Sequence, residues 1–451
     1  MAECNQGAKG RRVRDANLQI AVVGSGIAGL SCAWLLSQRH RVTLYETAPR
    51  LGGHSCTVDV AREGGDVAVD MGFIVYNEQT YPNLTALFRT LDVPTKPSCM
   101  SLGLSLDNGG FEYGGHNLAA LFAQPGNAVR PRFWVMLFHL LRLYRIGRTA
   151  APADDVSLGT WLDRNRIPAS FQRDHLLPMA AAIWSCPPGA VRGQPAIAFL
   201  RFCDTHGLLR LNGRPEWRTV EGGARAYVRR LRDRISGDVV TGWEVANIAR
   251  HRDGVTVRGA DGTARAFHQV VLATHGADAL AMLSDPDEAE RSVLGAFHDL
   301  PNRAVLHGDA SLMPRRRAMW SSWNLIARHG DSDEPPCVTY WMNRLQSIPG
   351  ADLFVTLNPP REPARGLTYA EQSFAHPAFD TATLRAQKDI WRLQGARKTW
   401  FCGAWLGAGF HEDGLQAGLA VAEALGGVRR PWNVANESGR IHLPREMACA
   451  A

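Results

Sequence analysis

Lysine is almost missing from this 451-residue chain: it stands only at Lys9, Lys96, Lys388 and Lys398, so arginine carries nearly all of a formal net charge of +7. That excess permits attraction to an anionic surface. Long apolar runs are missing too. No stretch reaches the ~18 uncharged apolar residues of a membrane span, so none is expected to cross a bilayer. The opening MAECNQGAKGRRVRDANLQ has basic residues but no apolar core behind them, which argues against a signal peptide. The nine cysteines form no CxxC pair. That argues against a disulfide framework or a zinc site and for a reducing, cytoplasmic setting, with no metal expected. Repeats and low-complexity tracts are absent. With 45% apolar and 21% charged residues the chain reads as globular, and its length suits two or three domains.

What is present begins with LQIAVV at 18–23, an apolar run suited to a buried parallel strand. It leads into Gly24-Ser25-Gly26-Ile27-Ala28-Gly29, then an apolar helical pattern, then RVTLY at 41–45 and Glu46. Strand, GxGxxG, helix, strand and acid together predict a dinucleotide site. The first glycine permits the tight turn, the second lets backbone approach a pyrophosphate, and the third lets the helix pack close to the sheet. The helix N-terminus offers free N–H groups to phosphate, and Glu46, about 20 residues on, suits the adenosine ribose. After Glu46 and Thr47 come Arg50, which could neutralise a phosphate, and Gly52-Gly53-His54, where adjacent glycines allow a second close backbone approach. No second strand-GxGxxG-helix unit is present, so a separate nicotinamide site is not expected.

The ExxxRxGG run at 46–53 resembles the FAD-dependent superfamily of amine oxidases, phytoene-desaturase-like enzymes and protoporphyrinogen oxidases. The resemblance implies an α/β chain: a Rossmann-type, GR2-like FAD-binding domain with a discontinuous α+β substrate domain. It places Asp70-Met71-Gly72-Phe73 near the flavin ring, Val245 at the adenine and Ala273 at the end of a strand returning from a hairpin around Asp261-Gly262. Near the C-terminus, Thr399–Cys402 reads as a strand, Gly403 and Ala404 as a close approach, and Gly414-Leu415 as a helix start whose positive end faces the flavin. Both ends of the chain would then grip one FAD. Non-covalent attachment is expected, with electrons leaving to oxygen, a quinone or a protein.

Two departures set this chain apart from amine oxidases. The segment matching their lysine–water site, PNRAVLHGD at 301–309, carries His307 and no lysine, and Phe410 stands for one of their tyrosines. GGHS at 52–55, VYNEQTYPNL at 75–84, WSSWN at 320–324, TYWMNRLQ at 339–346, HP at 376–377 and GFHEDG at 409–414 together resemble a bacterial subfamily of FAD-dependent oxidoreductases. That subfamily is similar to the flavin domain fused to plant cyclopropane fatty-acid synthases and includes desaturases of methylated acyl chains on the furan fatty acid route. The resemblance implies oxidation of a fatty acyl chain within a phospholipid. Two alternatives stand beside it: an amine or small-molecule oxidase, and a flavin-bearing accessory protein of a lipid methyltransferase or cyclopropane synthase. No nucleic-acid partner is expected. His411 and Glu412 are the candidate catalytic groups; the competing reading has His411 bonding a carbonyl and Glu412 and Asp413 capping the following helix. His307, Asn324, Tyr340, Asn343 and Phe410 are candidates for the substrate side.

VRPRFWVMLFHLLRLYRIGR at 129–148 predicts an amphipathic helix with Phe133, Trp134, Leu137, Phe138, Leu141 and Tyr144 on one face. Arg130, Arg132 and Arg148 flank it, a pattern suited either to the inner face of a membrane or to an ordinary covering helix. The expected organisation is 17–80, 215–285 and 390–430 for the FAD-binding domain and 81–214 and 286–389 for the substrate domain. Residues 1–16 and 437–451 read as mobile tails.

Overall fold

The apolar run near the start forms the strand Gln19–Val23, with Ile20, Ala21 and Val22 fully buried. In this computed structural model, which describes residues 17–147, 152–184, 186–210, 212–328 and 336–444, it is the middle strand of a five-stranded parallel sheet. The order is Gly237–Thr241, Arg41–Glu46, Gln19–Val23, Gln269–Leu272, Thr399–Phe401, every pairing parallel. Helix Ile27–Ser37 is buried at every position, as a helix trapped between two layers must be. Helix His411–Ala424 packs directly on it. A Cβ on Gly418 would lie 2.2 Å from the Ala28 carbonyl oxygen, so the missing side chain is what lets the two backbones meet. That helix begins three residues earlier than the sequence suggested, because Phe410 N donates to Asp413 Oδ2 at 2.8 Å and closes its first turn.

The hairpin at Asp261-Gly262 joins Val255–Gly259 to Ala264–Phe267, beside Val245–Arg250. The chain then returns into the parallel sheet as Gln269–Leu272. A second, seven-stranded sheet runs Thr368–Ala378, His298–His307, Phe354–Leu357, Cys337–Trp341, Trp323–Ala327, Leu102–Leu106, Phe111–Gly114. Each of its strands comes from 81–214 or 286–389, and each strand of the parallel sheet from the other three segments. Three helices depart from that division. Leu84, Leu87 and Phe88 of Pro82–Thr90, Leu294 of Glu288–Leu294 and Ala386 of Thr381–Asp389 are buried in the core of the parallel sheet.

The C-terminal segment from 437 to 444 is not a loose tail. Glu437 and Ile441 are buried, and Arg440 N donates to Gln416 Oε1 at 3.0 Å while its guanidinium reaches Asp413 and the Thr80 carbonyl. Residues 1–16 and 445–451 lie outside the described residues, as does Arg148.

The amphipathic stretch is helix Pro131–Ile146, but its apolar residues divide between two sides. Phe133, Met136 and Leu143 are buried, whereas Trp134, Phe138 and Leu141 are 51%, 64% and 51% exposed. Its cations are also partly committed inward. Arg132 pairs with buried Asp174 at 2.8 Å, and Arg142 donates to the Asn165 and Arg166 carbonyls. Among the described residues no helix is long and apolar enough to cross a membrane.

Candidate active site

A cavity of about 810 Å³ reaches from the ends of the parallel strands to the seven-stranded sheet. One end is made of backbone. Gly24 adopts φ 99°, and a Cβ there would lie 2.7 Å from the Ala273 carbonyl oxygen; on Gly29 it would lie 1.8 Å from the Gly24 carbonyl oxygen. Around the Gly26 Cβ position there is nothing within 4 Å, and Gly53 brings a second backbone against Gly26 from the other side. The helix N-terminus at Gly26-Ile27-Ala28 opens into the cavity with no capping side chain and no acid in its first turn. Its dipole and its unpaired N–H groups suit an anionic oxygen. Glu46 also lines the cavity; its carboxylate accepts from Ser25 N at 2.9 Å and Ser25 Oγ at 2.5 Å and from Ala48 N at 2.9 Å, which fixes the loop. Ser25, Thr47, Gly52, Val245 and Ala273 complete this end. An open helix N-terminus, two glycine-cleared backbones and an acid are the parts a dinucleotide needs, so the residues present fit one.

The other end is made of side chains. Phe73 N donates to the His54 carbonyl at 2.8 Å, and a Cβ on Gly72 would lie 2.2 Å from that same oxygen, so the two segments are clipped together. The Phe73 ring stacks on His411 at 3.8 Å and 8°. His411 Nε2 lies 2.7 Å from Tyr227 Oη and 3.2 Å from Ser55 Oγ. Burial lowers its pKa to about 3, so this ring is a neutral wall rather than a base at neutral pH. Gly403 and Ala404 adjoin it, Phe410 stacks on Phe202 at 5.1 Å, and Tyr340 meets Trp323 edge-on at 5.4 Å.

Five histidines line this cavity: His54, His206, His275, His376 and His411. Burial lowers His54 to about 3, His206 to about 3 and His376 to about 4; for His54 the nearby His376 and His275 rings add to the effect. His275 is the exception. Burial would lower it too, but Asp299, hydrogen-bonded to Nδ1 at 2.6 Å, raises its pKa above the ordinary range. Sequence reasoning singled out neither His275 nor His206, and His376 only as part of a recurring dipeptide. The available signal was a histidine directly after the returning strand's Ala273-Thr274.

Several expected site residues lie elsewhere. Glu412 is fully buried and accepts from Asn83 N at 3.1 Å, Asn83 Nδ2 at 2.8 Å and Leu84 N at 3.0 Å, capping helix Pro82–Thr90 rather than facing the cavity. Arg50 donates to the Gly53 carbonyl at 2.8 Å, which shapes the glycine turn, and it does not line the cavity. Met71 sits in a neighbouring core, Gly29 and Gly414 serve helix packing, and Leu415 is buried. Of the residues expected on the substrate side, His307 is buried with Nε2 at 2.7 Å from Thr356 Oγ1, Asn324 is spent on Ser321 and Thr339, and Asn343 on the Ile348 and Ala351 carbonyls. A polar residue buried on a strand needs partners more than it needs a ligand.

The family model described as flavin containing amine oxidoreductase matches residues 27–306, more than half of the chain. The chain belongs to this family. A flavin cofactor follows from that membership, and the model stops short of the C-terminal helix that closes the site. A Mycobacterium tuberculosis protein, provisionally assigned as a flavin-containing monoamine oxidase, is 30% identical over 295 residues. That alignment takes in 60% of this chain and 59% of the relative, so the match spans well under two thirds of the relative's length. A carotenoid phi-ring synthase of Streptomyces griseus is 45% identical over 75 residues, 16% of this chain and 14% of its own. Among solved structures, a CLA-producing fatty acid isomerase from P. acnes aligns with TM-score 0.66 at 16% identity, covering 90% of this chain and 98% of that one. Cyclohexylamine oxidase from Brevibacterium oxydans aligns with TM-score 0.63 at 15% identity over 90% and 98%. At such identities the agreement concerns the fold.

Proposed function

We propose that this protein is an FAD-dependent oxidoreductase that dehydrogenates a fatty acyl chain. The observation that carries the reading is the apolar end of the cavity. Ile183, Phe202, Leu345, Leu357, Phe379 and Phe410 line it; among the described residues no lysine lines the cavity, and the three carboxylates that do, Glu46, Glu244 and Asp278, all come from segments of the parallel-sheet side. A protonated amine entering there would find no countercharge, whereas an alkyl chain would bury at about 0.8 kcal/mol per methylene. Gly24–Gly29 and Glu46 would hold the dinucleotide, and Phe73, Phe410 and His411 would keep the reacting carbon dry and in place. Bound flavin supplies the hydride acceptor. A fatty acid isomerase shares the fold, so the fold itself can admit an acyl chain.

The second reading is amine oxidation, favoured by the family description and by the cyclohexylamine oxidase likeness. One experiment separates them. Flavin-loaded protein is mixed anaerobically with vesicles carrying a methylated monoenoic phospholipid, or with an alkylamine. Bleaching of the flavin band by the lipid is expected; bleaching by the amine alone would reverse the assignment.

We also propose that the enzyme meets this lipid at an anionic bilayer surface. Among the described residues, six of the nine large exposed apolar residues, Leu118, Val129, Trp134, Val135, Phe138 and Leu141, fall within 24 positions of one another, beside exposed Arg130 and Arg145. A net charge of +7 adds long-range attraction to that contact.

A further inference from the structure

We propose that His275, oriented by Asp299, is the catalytic base that takes the substrate's proton; the proposal rests on the dehydrogenation reading above. His275 follows the returning strand Gln269–Leu272 and Asp299 begins the sheet strand His298–His307, so the pair bridges the two halves of the molecule where the cavity passes between them. The hydrogen bond from Nδ1 to Asp299 fixes the tautomer, leaving Nε2 as the lone-pair nitrogen. Among the described residues no group hydrogen-bonds Nε2.

The other cavity histidines are poorer choices. His411 already has Tyr227 on Nε2, His206 bonds the Phe202 carbonyl, and His54 and His376 stack on each other at 5.6 Å with both pKa values lowered by burial. The groups facing His275 are Asp299 from the sheet, Asp278 from its own helix, and the neutral His54 and His376 rings. His376 and Pro377 run on to Phe379, so the dyad stands at the seam between the nucleotide end and the apolar pocket. A C–H bond would break with its proton going to Nε2 and its electron pair forming the new C=C bond, while the neighbouring carbon would give up hydride to the oxidised flavin held at Gly24–Gly29 and Glu46. The resulting imidazolium is stabilised by the Asp299 carboxylate.

Two measurements test this. The first needs no substrate: a pH titration of the His275 imidazole by ¹⁵N NMR, assigned by its loss in His275→Gln. A midpoint above the ordinary ~6.5, falling by about 1–2 units in Asp299→Asn, is expected. A wild-type midpoint below ~6 overturns the proposal. The second is anaerobic flavin reduction by the acyl substrate. His275→Ala should lose about 100-fold or more with flavin content retained and partial rescue by imidazole, and Asp299→Asn should move the acid limb of kcat/KM to lower pH. A His275→Ala variant within threefold of wild type overturns it. Should the acyl lipid fail to reduce wild-type flavin, the substrate reading falls, and the titration alone decides whether the dyad is the basic group of the cavity.

Discussion

The two ends of the cavity are built from different materials. At the nucleotide end the walls are main chain: Gly24, Gly26, Gly29 and Gly53 leave space that any Cβ would fill or block, and the helix N-terminus supplies the polarity. At the other end the walls are imidazoles and aromatic rings delivered by segments far apart in sequence, from His54 to His411. The difference is one of tolerance. A backbone site is all or nothing, because the positions of its atoms are set by the sheet and helix themselves. A side-chain site can change one group at a time while the fold persists, which is how one fold accommodates amines, acyl chains and other substrates.

The steepest test of this contrast is Gly29→Val. The new side chain would begin 1.8 Å from the Gly24 carbonyl oxygen and 3.0 Å from the Ala273 Cβ, and the Gly24 backbone cannot swing aside as a flexible side chain could. A loss of more than ~4 kcal/mol is expected, with the purified protein colourless. Urea unfolding and the visible-to-ultraviolet absorbance ratio read both. Glu412→Ala comes next. It strands two backbone N–H groups at the start of helix Pro82–Thr90 and should cost ~2–3 kcal/mol while leaving the pH profile of turnover unchanged. A variant of ordinary stability that has lost turnover would return Glu412 to the catalytic list.

Glu412 also shows where sequence reading stops. The GFHEDG turn was recognisable, but the partner of its glutamate lies 329 positions away at Asn83. Nothing local distinguishes a carboxylate that caps a distant helix from one that faces a ligand. The Gly24–Gly29 turn was legible for the opposite reason: its determinants are a fixed local spacing, with Gly24 answering to the adjoining strand end at Ala273, Gly29 to the Gly24 carbonyl and Gly26 left facing open space. The parallel sheet, the hairpin and the C-terminal helix were legible from pattern as well. His275 and Asp299 were not, since neither residue is unusual until the two sheets bring them within 2.6 Å.

Acid is the third way to separate the two ends. His54, His206, His376 and His411 have folded pKa values of about 3, 3, 4 and 3, below an unfolded value near 6.5. Their stabilisation is present in full above ~6.5 and is lost as pH falls toward the folded values, because the unfolded chain takes up the protons. His275 has the opposite sign: its contribution is present below the unfolded pKa and is lost as pH rises through the raised folded one. Discounted for solvent in the cavity, a net loss of ~2 kcal/mol between pH 7.5 and 5.5 is expected from urea midpoints. His206→Gln should flatten part of that slope. A stability that rises on acidification would contradict the neutral-ring picture. His411→Ala is milder still at neutral pH: flavin affinity falls about tenfold with the loss of the Phe73 stack, while the pH limb of turnover stays where it was. A shifted limb would transfer the base role to His411.

The smallest expected effect on the fold lies outside the cavity, on helix Pro131–Ile146. Phe133 would be the wrong probe of membrane contact, because it is fully buried and its replacement by a charge would damage the core before any lipid was present. Phe138 and Leu141 are 64% and 51% exposed, so Phe138→Asp/Leu141→Asp should change stability by no more than ~0.5 kcal/mol and leave flavin content intact. Yet the pair belongs to the exposed apolar set of 118–141, and two carboxylates there would oppose both burial in the acyl boundary and attraction to anionic headgroups. Co-sedimentation with phosphatidylglycerol vesicles should fall at least tenfold, and flavin reduction by vesicle-borne lipid should fall with it, while reduction by a detergent-dispersed acyl substrate should not. Equal vesicle binding by wild type and variant would confine the patch to a role within the protein itself.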